Sequence, residues 1–496
     1  MRKSGILLPV SALPSDYGIG CFSKSAYDFV DWLKRAGQTY WQILPLGPTG
    51  FGDSPYQSFS TFAGNPYFIS LEELIEEELL SEEECRNADL NNQNGTVDYK
   101  AQYERRLPLL KKAFKRAEVK NDKNYNEFIK SNSFWLEEYA LFTAIKNYYG
   151  GKSLLHWEKE ILIKEPKEIE LLKEKLKEDI EQEKFIQYKF YTQWYRLKNY
   201  ANKQGIKIIG DMPIYVSYDS ADVWVNPLLF DLDENLLPKS VAGCPPDGFS
   251  PKGQLWGNPV YNWDAHKKDD FKWWKQRLKF AFELYDVLRI DHFRGFDEFY
   301  AVKHGKTDAT DGKWLKGPGL SLFKSVEKAL GKKNIIAEDL GFITPSVKML
   351  LEECGYPGMK ILQFAFDTRD TGDTNSYLPH NYSHNSVAYT GTHDNHTLLS
   401  WFKSLSTSEK QKVREYLCDF DTPDCNLNIP LIGLIMRSCA NLTVIPIQDW
   451  LKLGDEARTN TPSTVGNNWK WRLKKGQTDE GLADKIQSMT YLFGRC

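Results

Sequence analysis

Four acidic positions stand at the ends of short apolar runs that are spread along a chain of 496 residues. They are Asp211 after IKIIG, Asp291 after DVLRI, Glu338 with Asp339 after NIIA, and Asp394 after SVAYTGTH. A single acid in such a place is often a helix N-cap or a partner for a backbone amide. Carboxylates that are crowded together repel one another, so four at one place would indicate a function or a set of counter-charges.

The residues beside these acids narrow their possible roles. Arg289 and Asp291 are two apart on one predicted strand, so their side chains face the same side. The guanidinium would keep Asp291 ionised, as a nucleophile requires. Glu338 and Asp339 are adjacent and therefore face opposite sides. Only one of them can point into a site, and periodicity alone does not say which.

Cleavage of a glycosidic bond is the chemistry that needs such a set of acids. One carboxylate attacks the anomeric carbon while a protonated one gives its proton to the leaving oxygen. The same group then deprotonates the acceptor. A water acceptor makes the enzyme a hydrolase, and a sugar hydroxyl makes it a transferase. The acids themselves do not distinguish the two reactions.

Three of the eight histidines, His292, His393 and His396, flank the candidate acids. The spacings His380-x-x-x-His384 and His393-x-x-His396 also allow a metal site. The sequence contains neither an H-E-x-x-H motif nor a cysteine partner for them, so we expect no metal. We interpret the flanking histidines as hydrogen-bond donors to substrate hydroxyls. The nucleophile elbow, Walker loop and kinase motifs are also absent from the sequence.

The apolar runs that must position these residues are typical of strands buried on both faces. Eight apolar runs have this character, at 5–10, 40–46, 206–211, 286–291, 334–339, 359–366, 386–394 and 442–449. Helical patterns follow several of them, at 25–36, 270–285, 345–353 and 408–418. The alternation predicts an α/β protein with a closed (β/α)8 TIM barrel, whose carboxyl strand ends line one mouth. The alternative is an open doubly wound sheet. Such a sheet usually has a glycine-rich phosphate loop, and Gly18-x-Gly20 is too short a match to that motif.

Uneven spacing of the runs locates two insertions in a single catalytic barrel that spans 1–496. Residues 52–205 are predicted to form a largely helical subdomain. Within it, 168–190 has apolar residues at helical spacing among Glu and Lys. This pattern favours a solvated helix packed on its own barrel over a partner-binding helix. Residues 213–285 are rich in Pro, Gly and Trp and are expected to form loops over the active site.

Composition excludes several classes of partner. The net charge is only −3, so neither nucleic acid nor an anionic membrane is indicated. The eight cysteines include no C-x-x-C pair, which argues against a disulfide framework or a zinc ribbon. Apolar runs stay below the ~18 residues of a membrane span, and the N-terminal stretch is too short for a signal peptide. We therefore expect a cytoplasmic protein.

The sequence resembles the 4-α-glucanotransferases called amylomaltases or disproportionating enzymes, within the α-amylase superfamily. The resemblance covers nearly the whole chain. It rests on seven motifs in order: SPYQSFSTFAGNPY (54–67), GDMPIYV (210–216), GCPPDGFSPKGQLWGNPVYNW (243–263), LRIDHFRGF (288–296), AEDLG (337–341), GTHDN (391–395) and NNWKWR (467–472). One departure is Ser463 in RTNTPST, where the family's motif leads us to expect glycine.

The resemblance implies a role for each motif residue. Asp291 would be the nucleophile, Glu338 the acid/base, which selects it over Asp339, and Asp394 the third carboxylate, which grips substrate hydroxyls. Arg289 would hold Asp291, and Tyr56 would be a stacking platform for sugar. The full set of implied substrate-binding residues is Tyr56, Asp211, Asp247, Trp256, Arg289, His292 and His393. Asp247 and Trp256 would belong to a loop over the acceptor subsites.

The activity that the resemblance implies is transfer of α-1,4-glucan segments from one malto-oligosaccharide to the 4-OH of glucose or a maltodextrin. The reaction would be a retaining double displacement without a cofactor. Two alternatives are an α-1,4-glucan hydrolase on the same scaffold and a non-catalytic glucan-binding protein. The presence of all three carboxylates argues against the second alternative. The sequence leaves the oligomeric state open.

Overall fold

The structure of the chain, a computed structural model, describes residues 2–50, 52–90, 95–246, 250–341, 343–367 and 375–496. Its strands are β1 (Lys3–Leu7), β2 (Tyr40–Gln42), β3 (Lys207–Pro213), β4 (Ser240–Cys244), β5 (Gln254–Pro259), β6 (Val287–Asp291), β7 (Glu298–Lys303), β8 (Gly312–Lys316), β9 (Ile335–Ala337), β10 (Gly358–Ile361), β11 (Ser386–Tyr389) and β12 (Leu442–Pro446). Eight of these strands close into a parallel barrel in the order β1-β12-β11-β10-β9-β6-β3-β2.

Helices cover the outside of this barrel and fill the connections between its strands. The α-helices are α1 (Lys24–Arg35), α2 (Leu71–Glu76), α3 (Glu82–Asn87), α4 (Tyr99–Ala101), α5 (Leu107–Arg116), α6 (Lys123–Ser131), α7 (Leu136–Tyr148), α8 (Lys159–Leu162), α9 (Pro166–Lys175), α10 (Lys177–Lys203), α11 (Ala221–Val225), α12 (Trp263–Lys268), α13 (Lys272–Leu284), α14 (Leu320–Leu330), α15 (Pro345–Cys354), α16 (Leu398–Ser404), α17 (Thr407–Leu417), α18 (Asn428–Met436), α19 (Ile447–Trp450) and α20 (Glu480–Leu492). The predicted (β/α)8 TIM barrel is therefore confirmed.

Each of the eight predicted apolar runs overlaps one barrel strand, because the barrel buries both faces of its strands. The inward side chains form a separate apolar cluster to which β1, β3, β10 and β12, among others, contribute. Gly210 on β3 allows a close approach from outside. A Cβ at this position would lie 2.2 Å from the ring of Tyr285. The predicted helices α1, α13, α15 and α17 differ from the observed ones by at most two residues at each end.

The chain between β2 and β3 carries helices α2 to α10. The long helix α10 packs against α5, α6 and α7 and also against α1 and β3. The indole of Trp194, which is fully buried, donates to the carbonyl of Leu284. The segment 168–190 thus lies within α9 and α10, and part of α10 contacts the barrel. Its assignment to a subdomain stays a prediction.

A second, antiparallel sheet has the strand order β5-β4-β7-β8. The segment 213–285, which is predicted to form loops over the active site, also contains β4 and β5. Both strands are short, and β4 pairs with β7, which is about 60 residues further along the chain. A pairing over this sequence distance leaves little local signal in a Pro- and Gly-rich segment.

Candidate active site

The carboxyl ends of neighbouring barrel strands bring the four acidic positions to one mouth. Asp211 on β3 is in register with Arg289 on β6, and Asp291 is the last residue of β6. Glu338 directly follows β9, whose last residue pairs with Ile290 of β6. Asp394 lies in the loop after β11. Because parallel strands end at the same face of a barrel, acids distant in sequence share one site.

Arg289 connects two of these acids. Its Nη1 lies 2.7 Å from each oxygen of Asp211, and its Nη2 lies 3.0 Å from Oδ1 of Asp291. Asp211 also accepts a hydrogen bond of 2.9 Å from the hydroxyl of Tyr56. The side chain of Asp211 has an exposed fraction of 0%. Its observed partners are therefore Arg289 and Tyr56, and a direct contact with sugar stays a prediction.

Glu338 is held on the side of the nucleophile candidate. Its carboxylate accepts hydrogen bonds from the backbone N–H of His292 at 2.7 Å and of Leu340 at 2.8 Å. Burial raises the pKa of Glu338, and the nearby charge of Asp291 raises it further; Arg289 and the two backbone donors oppose this only in part. Burial also raises the pKa of Asp291, with Arg289 opposing and Asp211 and Asp394 reinforcing the increase.

The adjacent acids Glu338 and Asp339 diverge, as their spacing requires. Asp339 accepts a hydrogen bond of 2.6 Å from the backbone N–H of Met359 on β10. A Cβ on Gly358 would lie 2.4 Å from its carboxylate, so glycine makes room for this contact. The structure therefore places Glu338 beside Asp291 and turns Asp339 towards β10, an ambiguity that strand periodicity had left open.

Asp394 has a different electrostatic environment from Glu338. Its oxygens lie 3.3 Å from Nε2 of His393 and 2.6 Å from Nδ2 of Asn460. Burial alone would raise the pKa of Asp394, but His393 and the hydrogen bonds from His393 and Asn460 lower it to about 2. The side chain keeps an exposed fraction of 41% towards the mouth. Asp394 is thus an ionised and accessible acceptor at neutral pH.

Aromatic rings form one wall of the mouth. The ring of Tyr56 stacks on His393 with centroids 5.2 Å apart and an interplanar angle of 18°. The indole of Trp469 lies 5.8 Å from Tyr56 and 6.0 Å from His393. Trp469 was not predicted as a site residue, although it belongs to the NNWKWR motif. Together these rings can stack against an apolar sugar face.

A second pair of rings, Trp256 and His292, lies beside Asp291, the residue that precedes His292. Their rings meet edge to face at 4.7 Å. Trp256 lies on strand β5 and not in a Pro- and Gly-rich loop, so that prediction is wrong, although the indole stays half-buried. Burial and the charge of Arg294 lower the pKa of His292 to about 3, which keeps this imidazole neutral. Asp247 lies outside the residues that the structure describes.

Asp449 was also missed, although the run 442–449 ends in this acid. It is 2% exposed, and its oxygens accept hydrogen bonds of 2.6 Å from Thr390 Oγ1 and 2.7 Å from the backbone N–H of Leu398. These two groups lie before and after the loop that carries His393 and Asp394. The buried carboxylate therefore ties both ends of this loop together.

His380 and His384, one of the two histidine pairs with metal-ligand spacing, have other partners. His380 Nδ1 lies 2.8 Å from the hydroxyl of Tyr416, and His384 Nδ1 lies 3.1 Å from the carbonyl of Cys439. Over the ranges that the structure covers, no three His, Cys, Asp or Glu side chains are grouped to hold a metal ion. Over the same ranges, helices of the length and apolarity of a membrane span are absent.

The fold and the mouth together define a class of protein. A closed (β/α)8 barrel holds an arginine-paired Asp291, a Glu338 of raised pKa and an ionised Asp394 at the carboxyl ends of its strands. This arrangement is that of an enzyme that cleaves glycosidic bonds through two carboxylates.

Comparison with known proteins assigns the chain more closely. Residues 8–478 match the family described as 4-alpha-glucanotransferase. A 4-alpha-glucanotransferase of Clostridium butyricum is 48% identical over 490 residues, or 98% of this chain and 99% of that protein. One from Streptococcus pneumoniae serotype 4 is 44% identical, over 100% and 97% of the two chains. The structure of an amylomaltase from Streptococcus agalactiae in complex with acarbose is 41% identical and superposes with a TM-score of 0.96 over 100% of both chains.

The chain belongs to the 4-alpha-glucanotransferase family. The predicted transferase activity and the resemblance to amylomaltases are thereby confirmed, and the hydrolase alternative has no better support.

Proposed function

We propose that Asp291, Glu338 and Asp394 carry out the transfer of α-1,4-glucan segments between malto-oligosaccharides by a retaining double displacement. The observation that supports this most directly is the pairing of Asp291 with Glu338. Asp291 is bound by a guanidinium at 3.0 Å, and Glu338 has a raised pKa beside it. One carboxylate is thus suited to attack and the other to hold a proton.

In the first step, an oxygen of Asp291 attacks the anomeric carbon of the donor. The bond from this carbon to the glycosidic oxygen breaks, and Glu338 gives its proton to that oxygen. The part of the donor on the reducing side leaves with a new hydroxyl. The remaining segment is attached to Asp291 as an ester of inverted configuration.

In the second step, the protonation states reverse. The ester removes the negative charge of Asp291, which is one of the two causes of the raised pKa of Glu338. The pKa of Glu338 then falls, and its carboxylate can take the proton from the 4-OH of an acceptor. The acceptor oxygen attacks the anomeric carbon, the ester bond breaks, and a second inversion restores the original configuration.

The substrates that we propose are malto-oligosaccharides and longer α-1,4-glucans, with glucose or a maltodextrin as acceptor. The amylomaltase of Streptococcus agalactiae was solved in complex with acarbose, which supports a glucan-like ligand for this chain. Asp394 and His393 would bind sugar hydroxyls, and Tyr56 would stack on the ring. A reducing compartment such as the cytoplasm suits the eight cysteines, all of which are free thiols.

Hydrolysis competes with transfer whenever water reaches the ester on Asp291. Trp256 and His292 pack edge to face next to Asp291 and would limit the access of water while an acceptor sugar is bound. We expect a sugar hydroxyl to be the preferred acceptor for this reason.

The experiment that tests the proposal is incubation of the purified protein with maltotriose alone, followed by separation of the products by chain length. Free glucose together with longer maltodextrins would establish transfer. Glucose and maltose without longer chains would show hydrolysis and overturn the proposed choice of acceptor. A sample of Asp291→Asn treated in the same way checks that the products do not come from a contaminating enzyme.

A further inference from the structure

A small cavity lies beside His393. It is lined by residues of the 392–397 loop, by Gln448 and Asp449 of α19, and by Arg458 and Thr459. The cavity is large enough to hold a water molecule.

Two buried polar atoms of this cavity lack a hydrogen-bonding partner among the described residues, namely His393 Nδ1 and Gln448 Oε1. Both residues are only 4% exposed. Nε2 of His393 lies 3.3 Å from Oδ2 of Asp394 and must carry a hydrogen to bond to it. Burial lowers the pKa of His393, but the charge and hydrogen bond of Asp394 outweigh it and raise the pKa above its ordinary value. In the charged ring Nδ1 is a donor, and in the neutral ring it is an acceptor.

The orientation of the Gln448 amide is fixed by its other contacts. Nε2 donates to the carbonyl of Ala457 at 3.2 Å and to Thr459 Oγ1 at 3.1 Å. Because a carbonyl oxygen only accepts, the amide cannot be flipped, and Oε1 is an acceptor. Thr459 Oγ1 accepts from Gln448, so its own hydrogen is left to donate.

We propose that one water molecule binds in this cavity and bridges His393 to Gln448. It accepts from Nδ1 of the charged ring or donates to Nδ1 of the neutral ring, it donates to Oε1 of Gln448, and it accepts a hydrogen bond from Thr459. A water molecule both donates and accepts, so a single one can join these atoms in either state of the ring. Three partners are also the usual number for a buried water.

The water makes Gln448 a positioning residue for His393. The stacking of Tyr56 fixes the plane of the imidazole, with an interplanar angle of 18°, but leaves its rotation within that plane open. The bridge to Gln448 and the bond to Asp394 fix that rotation from two sides. This step rests on the proposed function, in which Asp394 holds substrate hydroxyls in the transition state.

A crystal structure of the wild-type protein at about 1.5 Å resolution tests the water directly. We expect density for one water within hydrogen-bond distance of both His393 Nδ1 and Gln448 Oε1. Density that shows nothing between these atoms would overturn the proposal. This result does not depend on turnover, so it is separate from a failure of the proposed reaction, which Asp291→Asn tests.

Two substitutions of Gln448 test the positioning role. Gln448→Met removes both amide atoms at nearly constant size. Gln448→Glu keeps an oxygen that can accept from the water at nearly constant size, so it is the matched control. We expect Gln448→Met to lower kcat on maltotriose roughly tenfold with little change in KM, and Gln448→Glu to recover most of this loss.

The imidazole 15N spectrum of histidine-labelled protein gives a signature that a general loss of stability would not produce. The His393 Nδ1 resonance should move towards that of an unbonded nitrogen in Gln448→Met and stay near the wild-type value in Gln448→Glu. Should Gln448→Met fail to fold, Thr459→Val removes only the third partner and should cause a smaller shift in the same direction. A wild-type resonance and kcat in the variant that folds would overturn the positioning role.

Discussion

The carboxylate of Glu338 accepts a hydrogen bond of 2.7 Å from the backbone N–H of His292, the residue that follows Asp291. His292 has a φ of +53°, a left-handed conformation that residues other than glycine rarely adopt. The backbone after β6 thus turns to give its N–H to the acid that directly follows the neighbouring strand β9. This contact fixes the place of Glu338 relative to Asp291 through the main chain, without a further side chain.

Asp291→Asn should abolish turnover and preserve binding of maltotriose. The amide cannot form the ester, although it is almost isosteric with the carboxylate, and we expect kcat to fall by about 10⁴-fold or more. Asp286→Asn is the matched control, since Asp286 directly precedes β6 at its opposite end and bonds to Asn202 and Ile208. Steady-state kinetics and calorimetric titration with maltotriose measure the two effects. Turnover by Asp291→Asn near the wild-type level would contradict the mechanism.

The pH dependence of kcat should contain an alkaline limb that belongs to Glu338. Its folded pKa is raised above the ordinary value of 4.5, so the acid form persists into weakly acidic solution and is lost as the pH rises through that raised pKa. Glu338→Gln should remove this limb and lower kcat on maltotriose by roughly 10²–10⁴-fold. A full pH–rate profile of both proteins tests this.

An aryl maltoside with an acidic phenol as leaving group provides the control for Glu338→Gln. This leaving group needs no proton, so the variant should still form the ester and release a burst of phenol. Loss of the burst would show that the substitution disturbs the site in general and would contradict a specific acid role.

Much of the fold follows from the sequence, because parallel strands buried on both faces are continuous apolar runs. The acids at their ends follow from the same pattern. The antiparallel sheet does not follow from such a pattern, since β4 pairs with β7 and the barrel strand β6 lies between them in sequence. The contact of Asn460 with Asp394, over 66 positions, likewise has no local signal. Asp449 could have been found, because it ends an apolar run just as Asp211 and Asp291 do.

Trp256→Ala should raise hydrolysis relative to transfer. The indole packs on His292 at 4.7 Å and near Tyr215 at 6.2 Å, so its removal opens the space next to Asp291 to water. We expect the ratio of glucose and maltose to longer products to increase several-fold with maltotriose as substrate. Trp256→Phe keeps an aromatic ring, so its product ratio should lie between those of the wild-type protein and Trp256→Ala. A deletion of 243–256 is a poorer test, because it would remove the end of β4 and the start of β5.

Ser463→Gly should stabilise the protein. Ser463 has a φ of +62° and an exposed side chain, so the serine is strained at a position where glycine is expected from the family's motif. Relief of this strain, reduced by the larger entropy of glycine in the unfolded chain, should raise the free energy of unfolding by about 0.5–1 kcal/mol. Ser463→Ala is the control and should bring no gain. Denaturant titration measures both, and equal stability of all three proteins would contradict the prediction.

Asp449→Asn should destabilise the protein in a manner that depends on pH. One amide oxygen cannot serve both Thr390 and Leu398, so one buried donor loses its acceptor at a cost of roughly 1–3 kcal/mol.

Burial raises the pKa of Asp449 from 3.8 to about 6, with the hydrogen bonds from Thr390 and Leu398 opposing. Between these two values the folded state binds more protons than the unfolded state, so the wild-type protein loses stability as the pH rises. The asparagine variant lacks this loss. Its stability deficit relative to the wild-type protein should therefore shrink from pH 4 to pH 7. Thermal midpoints at a fixed scan rate test this, with Asp484→Asn at an exposed ion pair as the control. A deficit that stays constant with pH would contradict the raised pKa, and no deficit at any pH would contradict the tie between the two ends of the loop.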